Sequence, residues 1–367
     1  MWIQLAITGL LVALLPLSMV WASKDSNKFR KLAWVTLFLT FDLIMFGAFT
    51  RLTDSGLGCP DWPGCYGHAN PLQAHAHISA AEAAMPHGPV TLTKAWIEMI
   101  HRYLAMAVGV LIISLMVLAW RNTIKSAWAE RRYHPGLPTA LFLLVCLQGA
   151  FGAWTVTMLL QPAIVTTHLL LGMLLLGMLT WLAARQITHA PLAPEAARLR
   201  WPAWVALALL GVQIALGGWV STNYAALACT DFPLCHGQWI PEMDFEHGFT
   251  LWRELGLTKD GEYLPFPALT AIHWVHRMFA FVLLAWAGWL AWRAMRIEGL
   301  ARSGRWLALA LVLQLMTGLG NVYFSWPLAL AVAHNGGAAL LLLLLVMINY
   351  KAHITASQQG ADMRSFV

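Results

Sequence analysis

The chain has 367 residues, of which 59% are hydrophobic and only 11% are charged. A soluble protein carries about twice that charged fraction, so the composition excludes an ordinary soluble domain. Several apolar runs reach the roughly 20 residues that a helix needs to cross a bilayer. The sequence therefore predicts a multi-pass membrane protein in contact with lipid, and its net charge of +6 gives no reason to expect a nucleic-acid partner.

Nine membrane-spanning helices are predicted from these apolar runs. In chain order they cover residues 2–22, 32–50, 97–120, 137–160, 164–186, 201–221, 268–293, 305–325 and 329–350. The first run ends in VWAS, which resembles a signal-peptide cleavage site. Its basic residues follow the apolar run instead of preceding it, so we expect a retained helix there.

The lysine and arginine residues predict the orientation. Six of the 23 basic residues lie on or near one side of the predicted membrane, and the other 17 lie on the opposite side. Because cytoplasmic loops carry the excess of basic residues, we expect a bacterial plasma-membrane protein with its N-terminus outside and its C-terminus in the cytoplasm. Cys146, alone in an apolar span, is interpreted as a small buried packing residue.

A cysteine-containing loop occurs twice in the chain, at an offset of 170 residues. The first copy is GCPDWPGCYG, with Cys59 and Cys65, and the second is ACTDFPLCHG, with Cys229 and Cys235. The predicted orientation places both loops outside, where close thiols tend to be oxidised. The same offset aligns GAFTRLTDSGLGC with GGWVSTNYAALAC, and further matches align EMIHRYLAM with HWVHRMFAF and QGAFGAWTV with QLMTGLGNV.

These matches predict an internal duplication of four helices. The expected fold is an all-α membrane protein with two tandem four-helix bundles, related by a pseudo-two-fold axis along the membrane normal. One additional helix precedes them. The predicted divisions are an N-terminal helix with a cytoplasmic linker (1–31), a first half (32–186), a second linker (187–200), a second half (201–350) and a cytoplasmic tail (351–367).

The duplication also repeats a pair of histidines, one near the outer end of the second helix and one near that of the fourth helix of each half. The histidines are His101, His168, His276 and His334. Histidine within a bilayer is costly and usually functional, and two imidazoles in a helix bundle can hold haem iron from both sides. A structural zinc site normally gathers four close ligands, which single histidines on separate helices fit poorly.

Charged residues next to these histidines are further candidates. Arg102 and Arg277 each follow a histidine at the membrane edge, where they either pair with haem propionates or extend to the interface as ordinary charged side chains. Glu98 lies three residues before His101, whereas the matching position of the second half is His273. A carboxylate there accepts protons, orients water or stabilises positive charge, although an acid in the first turn of a helix also satisfies free amides.

Asp42 is the other carboxylate at membrane depth, and the second half has no acidic counterpart. It is a functional candidate by default, and an interhelical hydrogen bond explains it equally well. The acidic stretch 241–262 in the second outer loop reads as a solvated, partly amphipathic segment to which we assign no chemistry.

Six segments together resemble the haem A synthase family over residues 32–350. They are GAFTRLTDSGLGCPDWPGCYG, EMIHRYLAM, TTHLLLG, GGWVSTNYAALACTDFPLCHG, HWVHRMFA and AHNGG. The resemblance implies an oxidoreductase that converts the C8 methyl group of haem O to the formyl group of haem A by successive hydroxylations. It also implies a substrate haem in the first half and a permanent haem b in the second.

The resemblance carries over to individual residues. It implies that His101 and His168 ligate the substrate haem, that His276 and His334 ligate haem b, and that Glu98 is essential for the reaction. It implies a disulfide between Cys59 and Cys65, with a part in catalysis or haem handover, and a second disulfide between Cys229 and Cys235. Haem O synthase, terminal-oxidase assembly factors and a quinone or other electron acceptor are compatible partners, as is a homo-oligomer.

Two other functions remain open from the residues alone. A di-haem b-type electron carrier explains the four histidines and the duplication, but it does not need a carboxylate in one half only. A haem transporter or chaperone fits the outer cysteine loops, but all four predicted ligands lie near one face of the membrane. Two histidine ligands also leave the iron of a substrate haem no open position for O₂, so either one ligand leaves or water supplies the oxygen.

Overall fold

The computed structural model describes residues 1–127 and 133–365, with side chains described up to residue 359. Of the basic residues predicted to be cytoplasmic, Arg131 and Arg132 lie outside the described residues. The described part of the chain is all-α, as predicted, and contains no strand. Nine of its helices are long and apolar enough to cross a membrane, so the protein is a multi-pass membrane protein. The predicted orientation stays a prediction.

The described helices follow the predicted spans closely. They are α1 (Trp2–Ala22), α2 (Lys28–Leu52), α3 (His75–Ala84), α4 (Leu92–Lys125), α5 (Gly136–Thr157), α6 (Pro162–Ala184), α7 (Arg200–Thr222), α8 (Phe245–Gly248), α9 (Phe266–Met295), α10 (Ala301–Tyr323) and α11 (Leu328–Ser365). A six-residue 3₁₀ helix, Pro194–Leu199, precedes α7. The last helix runs on through most of the predicted cytoplasmic tail.

Long apolar runs form helices here because a helix satisfies its own backbone hydrogen bonds, as a lipid environment requires. Local signals determine where some of them begin. The side chain of Asn27 accepts a hydrogen bond from Arg30 N at the start of α2, and that of Thr91 accepts one from Lys94 N at the start of α4. Pro162 occupies the first turn of α6, where its missing N–H costs nothing.

The chain divides into two compact units, Met1–Gln186 and Ile187–Val367. In the first unit, which we call the N-terminal unit, α2 packs on α4, α4 on α5, α5 on α6, and α6 returns to α2. In the second, the C-terminal unit, α7, α9, α10 and α11 pack on one another in the same cyclic order. Each unit is thus a ring of four helices. The predicted two-fold relation between the halves stays a prediction.

The additional helix α1 packs mainly on α4 and also on α2. Leu5 is buried in one cluster with Cys59 and Cys65 of the first cysteine loop and with Ile78 of α3. Next to it, the rings of Trp2 and Trp62 meet edge to face, with their centroids 6.3 Å apart. The start of α1 therefore lies at the same end of the N-terminal unit as the first cysteine loop.

One minor expectation was wrong. Cys146 is exposed; it lies on a face of α5 that no neighbouring helix covers, and a lipid-facing surface is as apolar as a core, so hydrophobicity alone cannot separate the two.

The stretch 241–262 is mostly exposed or half-buried, as predicted. Arg253 within it is buried, and its guanidinium donates hydrogen bonds to Asn223 Oδ1 and Leu257 O. Burial lowers the pKa of Arg253 from its usual value.

Candidate functional site

In the N-terminal unit, each predicted haem-ligating histidine lies against a glycine of the neighbouring helix. A Cβ atom added to Gly47 of α2 would lie 3.0 Å from Cε1 of His101 on α4. A Cβ added to Gly152 of α5 would lie 3.2 Å from Cε1 of His168 on α6. Both distances are shorter than ordinary carbon contacts, so the two imidazoles occupy their positions because these residues have no side chain.

The C-terminal unit repeats this arrangement. A Cβ on Gly217 of α7 would lie 3.0 Å from Cε1 of His276 on α9, and one on Gly318 of α10 would lie 3.1 Å from Cε1 of His334 on α11. The predicted ligand set therefore occupies equivalent places in the two compact units. The sequence alignment pairs Gly47 with Gly217 and Gly152 with Gly318. Glycines near the histidines were expected to leave room for a macrocycle; the structure shows that these four make room for the imidazole rings.

The residues present fit a haem in each unit. Neutral imidazole is a common axial ligand of haem iron, and each unit supplies two. In the N-terminal unit the Nδ1 atoms of His101 and His168 are buried, and they lack hydrogen-bond partners among the residues that the structure describes. A buried polar atom without a partner is costly. Ligation of these histidines is consistent with that arrangement, and their role as haem ligands stays a prediction.

Both cysteine pairs form the disulfides that the resemblance implies, Cys59 with Cys65 and Cys229 with Cys235. Within each loop an aspartate two residues after the first cysteine organises the turn. Asp61 accepts hydrogen bonds from the N–H groups of Tyr66 and Gly67 at 2.6 and 2.7 Å. Sequence reasoning missed this role, although the repeated pattern Cys-x-Asp was a usable signal.

The second loop is organised in the same way. Asp231 accepts hydrogen bonds from the N–H groups of His236 and Gly237, each at 2.8 Å. The hydrogen bond from Gly237 N–H is the main cause that holds the pKa of the Asp231 carboxyl below its usual value. The same carboxylate turn therefore closes both loops.

Glu98 connects the first loop to the helix that carries His101. Its Oε2 accepts a hydrogen bond from the backbone N–H of Cys59 at 2.8 Å, and its Oε1 forms an ion pair with Arg102. The expectation that Glu98 lies in the first turn of its helix was wrong, because α4 begins at Leu92 and Glu98 is in the second turn. Its partners are the disulfide loop and Arg102, not the free amides of a helix terminus.

His273 occupies the corresponding place in the C-terminal unit. Its Nδ1 accepts a hydrogen bond from the backbone N–H of Cys229 at 3.1 Å. The two units therefore build the same contact between the first cysteine of the loop and the residue three positions before a predicted haem ligand. The group at that contact is a carboxylate in one unit and an imidazole in the other.

The two predicted arginines bind the loops above them. Arg102 donates hydrogen bonds to Asp61 O at 2.9 Å and to Gly64 O. Arg277 donates to Asp231 O at 2.7 Å and to Leu234 O at 3.1 Å. Each arginine thus fastens its helix to the disulfide loop, and pairing with haem propionates stays a prediction for both.

Asp42 lies apart from these contacts. Its side chain is exposed on α2 and forms no hydrogen bond with any residue that the structure describes. The alternative of an interhelical hydrogen bond therefore has no support among the described residues. Its role stays an open prediction.

Three polar residues beside the histidines were missed as site residues by sequence reasoning. Gln213 Nε2 lies 3.1 Å from His276 Nδ1, and Thr317 Oγ1 lies 3.1 Å from His334 Nδ1. Gln148 Nε2 lies 3.0 Å from the carbonyl oxygen of His168. Gln148 had been aligned with Gln314 as a repeat match, which was the only available signal.

Comparison with known sequences identifies the family. The sequence model of the COX15-CtaA family, described as cytochrome oxidase assembly protein, matches residues 30–346. The chain belongs to this family. The match runs from α2 to the middle of α11, and so includes residues of all eight helices of the two rings and both disulfide loops.

Several curated relatives of this COX15-CtaA chain carry the name heme A synthase. The one from Shewanella oneidensis is 41% identical over 326 residues, covering 87% of this chain and 96% of the relative. Those from Rhodopseudomonas palustris strain BisB5 and Bradyrhizobium diazoefficiens are 31% and 30% identical, and they cover 82% and 93% of this chain and 85% and 96% of the relatives. These matches confirm the resemblance that the sequence motifs indicated.

Proposed function

We propose that this protein is a haem A synthase that oxidises the C8 methyl group of haem O to the formyl group of haem A. The names of its relatives support the reaction class. The observation that carries the assignment within this chain is the difference between Glu98 and His273 under otherwise equivalent disulfide loops. A carboxylate in one unit only favours a pair of sites with different tasks over two equivalent electron-carrying sites.

The reaction needs a proton acceptor and an electron acceptor. Conversion of a methyl group and one water to an aldehyde releases four protons and four electrons. Since two histidine ligands leave the iron of haem O no open position, we assign the oxygen to water that attacks after electron removal. Glu98 then stabilises the positive charge that develops at the methyl carbon and accepts protons from the attacking water.

Arg102 and the first disulfide loop position that carboxylate. Glu98 is 4% exposed, and both of its oxygens are held, one by Cys59 N–H and one by Arg102. An acid fixed on two sides can keep one orientation toward a substrate, which is the usual way that preorganised charge lowers a barrier. Arg102 is therefore a positioning residue in this proposal, because it acts through Glu98.

The C-terminal unit would hold haem b through His276 and His334. When bound, haem b supplies one-electron redox chemistry, which gives the electrons released by the substrate an exit toward a quinone or another external acceptor. In that unit His273 satisfies the loop N–H without adding a carboxylate beside the bound group.

The test is extraction of haem from the purified protein after co-expression with a source of haem O. We expect haem b together with haem O, a hydroxylated intermediate or haem A. Glu98→Gln should reduce haem A by at least about 100-fold, the scale of a lost acid–base group, while haem O remains bound. The matched variant is His273→Gln in the C-terminal unit. Its glutamine can still accept a hydrogen bond from Cys229 N–H, and this variant should still form haem A.

Two outcomes would contradict the proposal. Full conversion by Glu98→Gln would remove the carboxylate from the reaction. Pigment that contains only haem b, in a strain whose haem A level does not depend on this protein, would favour the alternative of a di-haem b-type electron carrier.

The Cys59–Cys65 disulfide has two proposed roles that the same assay separates. As a redox or handover element it is required for haem A formation; as a clip it only stiffens the loop above Glu98. If Cys59→Ser with Cys65→Ser leaves haem A formation unchanged, the clip is sufficient. The Cys229→Ser with Cys235→Ser variant is the matched control for loss of a loop disulfide.

A further inference from the structure

The Nδ1 atoms of the four predicted ligands have partners in one unit and lack them in the other. In the C-terminal unit, Nδ1 of His276 lies 3.1 Å from the Gln213 amide, and Nδ1 of His334 lies 3.1 Å from the Thr317 hydroxyl. In the N-terminal unit, Nδ1 of His101 and Nδ1 of His168 are buried without a partner among the described residues. The difference therefore holds for both histidines of each unit.

The sequence explains this difference position by position. At the repeat offset of 170, Gln213 corresponds to Leu43. The aligned segments QGAFGAWTV and QLMTGLGNV lie 166 residues apart, and within them Thr317 corresponds to Phe151. Both replacements exchange a side chain that can hydrogen-bond for one that cannot. The glycines that contact the imidazoles are the same in both units, so the exchange changes the partner of Nδ1 without changing the room for the ring.

Thr317 is oriented to favour one tautomer of His334, the one with its proton on Nδ1. Its hydroxyl lies 3.1 Å from Gln314 O, so the hydroxyl can donate there and keep a lone pair for His334 Nδ1–H. A proton on Nδ1 leaves Nε2 unprotonated, as a metal ligand must be; in the structure this atom lies 3.4 Å from Gln314 Nε2. The Gln213 amide cannot do the same by turning over, because its Nε2 also lies 3.1 Å from the carbonyl oxygen of His276, to which it donates. Thr317 is therefore the residue whose contact favours the form of the histidine that ligates through Nε2.

Such partners matter because a hydrogen bond from the far nitrogen fixes the orientation of a ligating histidine and raises its basicity. Loss of a partner of this kind typically weakens metal binding about 10- to 100-fold. Ligands without one are less fixed in orientation and release their metal more readily. A substrate must leave after each conversion, whereas a permanent cofactor must stay.

We propose that Thr317 is a positioning residue that retains the haem of the C-terminal unit, and that Phe151 at the corresponding position makes the haem of the N-terminal unit exchangeable. This inference rests on the proposed function, because it takes the four histidines to be haem ligands. It adds the residues that decide which unit keeps its haem and which unit releases it.

The experiment uses the full chain loaded with haem b in both units, and each haem is identified by its loss in His101→Ala or His276→Ala. Haem transfer to excess apomyoglobin and the midpoint potential of each haem are measured. Thr317→Val should accelerate transfer from the C-terminal unit about tenfold and raise its midpoint potential, because the ligand becomes less electron-donating. Thr317→Ser, which keeps the hydroxyl, should restore both properties.

The reciprocal change tests the N-terminal unit. Phe151→Thr should slow haem transfer from that unit and lower the midpoint potential of its haem. This test does not depend on whether the Thr317 variants fold. Equal transfer rates and potentials in Thr317→Val, Thr317→Ser and the unmodified protein would overturn the inference. If His276→Ala instead retains its full haem content, the ligand assignment of the proposed function fails first.

Discussion

The N-terminal and C-terminal units build the same framework and place different groups in it. In both units a glycine makes room for each imidazole, a disulfide loop is closed by an aspartate, and an arginine fastens that loop to the helix below. The units differ under the loop, where Glu98 faces Cys59 N–H and His273 faces Cys229 N–H. They also differ at Nδ1 of each histidine.

This comparison teaches that the duplicated scaffold and the chemistry can change independently. Residues that shape the space are the same in the two copies, because a change there displaces the ring itself. The polar groups that differ are those under the loop and at Nδ1 of the histidines. In the proposed function one unit needs a reactive carboxylate and loosely fixed ligands, while the other needs neither. The functional division between the units is therefore carried by a few polar positions.

The largest expected effect comes from filling the space beside one imidazole. Gly47→Leu should displace His101, deplete haem from the N-terminal unit and abolish haem A formation, while Gly217→Leu should deplete haem from the C-terminal unit. Haem content per protein, measured by pyridine haemochrome, should fall from two to one in each variant.

Gly109→Leu and Gly288→Leu are matched controls for this prediction. They place a side chain on α4 and α9, where a Cβ meets no atom within 4 Å. If these variants lose as much haem as Gly47→Leu and Gly217→Leu, the close contact between glycine and imidazole is not the cause.

An intermediate effect is expected from removal of the loop-binding arginines. Arg102→Met leaves the buried Glu98 without its ion pair. Removing one partner of a buried pair lowers the free energy of unfolding by roughly 3–5 kcal/mol. We expect haem A formation to fall by about tenfold or more. Arg277→Met removes two hydrogen bonds to loop carbonyls and the attraction to Asp231, but it leaves no buried carboxylate without its ion pair beside a predicted haem ligand. It should therefore lower the melting temperature with a smaller effect on haem A. Similar losses of haem A in the two variants would contradict the special role of Arg102.

The smallest expected effect concerns acid stability of the second loop. The pKa of Asp231 is lower in the folded protein than in the unfolded chain. Its contribution to the free energy of unfolding is therefore fully present above the ordinary aspartate pKa, and it is lost as the pH falls through the lowered value. Asp231→Asn should remove this acid dependence and change the melting temperature at neutral pH by no more than about 2 °C, the scale of a surface electrostatic contact. Thermal melts of both proteins between pH 3 and pH 7 measure it; parallel curves over that range would refute it.

The sequence predicted the helices and singled out the four histidines because both depend on local, repeated signals; the ligand role of the histidines stays a prediction. Apolar runs of bilayer length, and a repeat whose offset is 175 residues at one pair of histidines and 166 at the other, required no knowledge of side-chain contacts. The link from Cys59 N–H to Glu98 could not be predicted, since it joins residues 39 positions apart and depends on where the loop folds back. Likewise, the alignment of Thr317 with Phe151 shows a substitution, but only the packing of α10 on α11 shows that it changes the partner of His334.

The burial of the loop disulfides sets a condition on any exchange with external thiols. Cys59 and Cys65 are both 0% exposed, and Leu5 of α1 packs in the same cluster. Thiol–disulfide exchange requires an attacking thiolate to reach one of the sulfur atoms. A reducing partner therefore reacts only with those molecules in which the loop has opened locally. The frequency of that opening, and not the reactivity of the reductant alone, would limit the rate at which this bond is reduced.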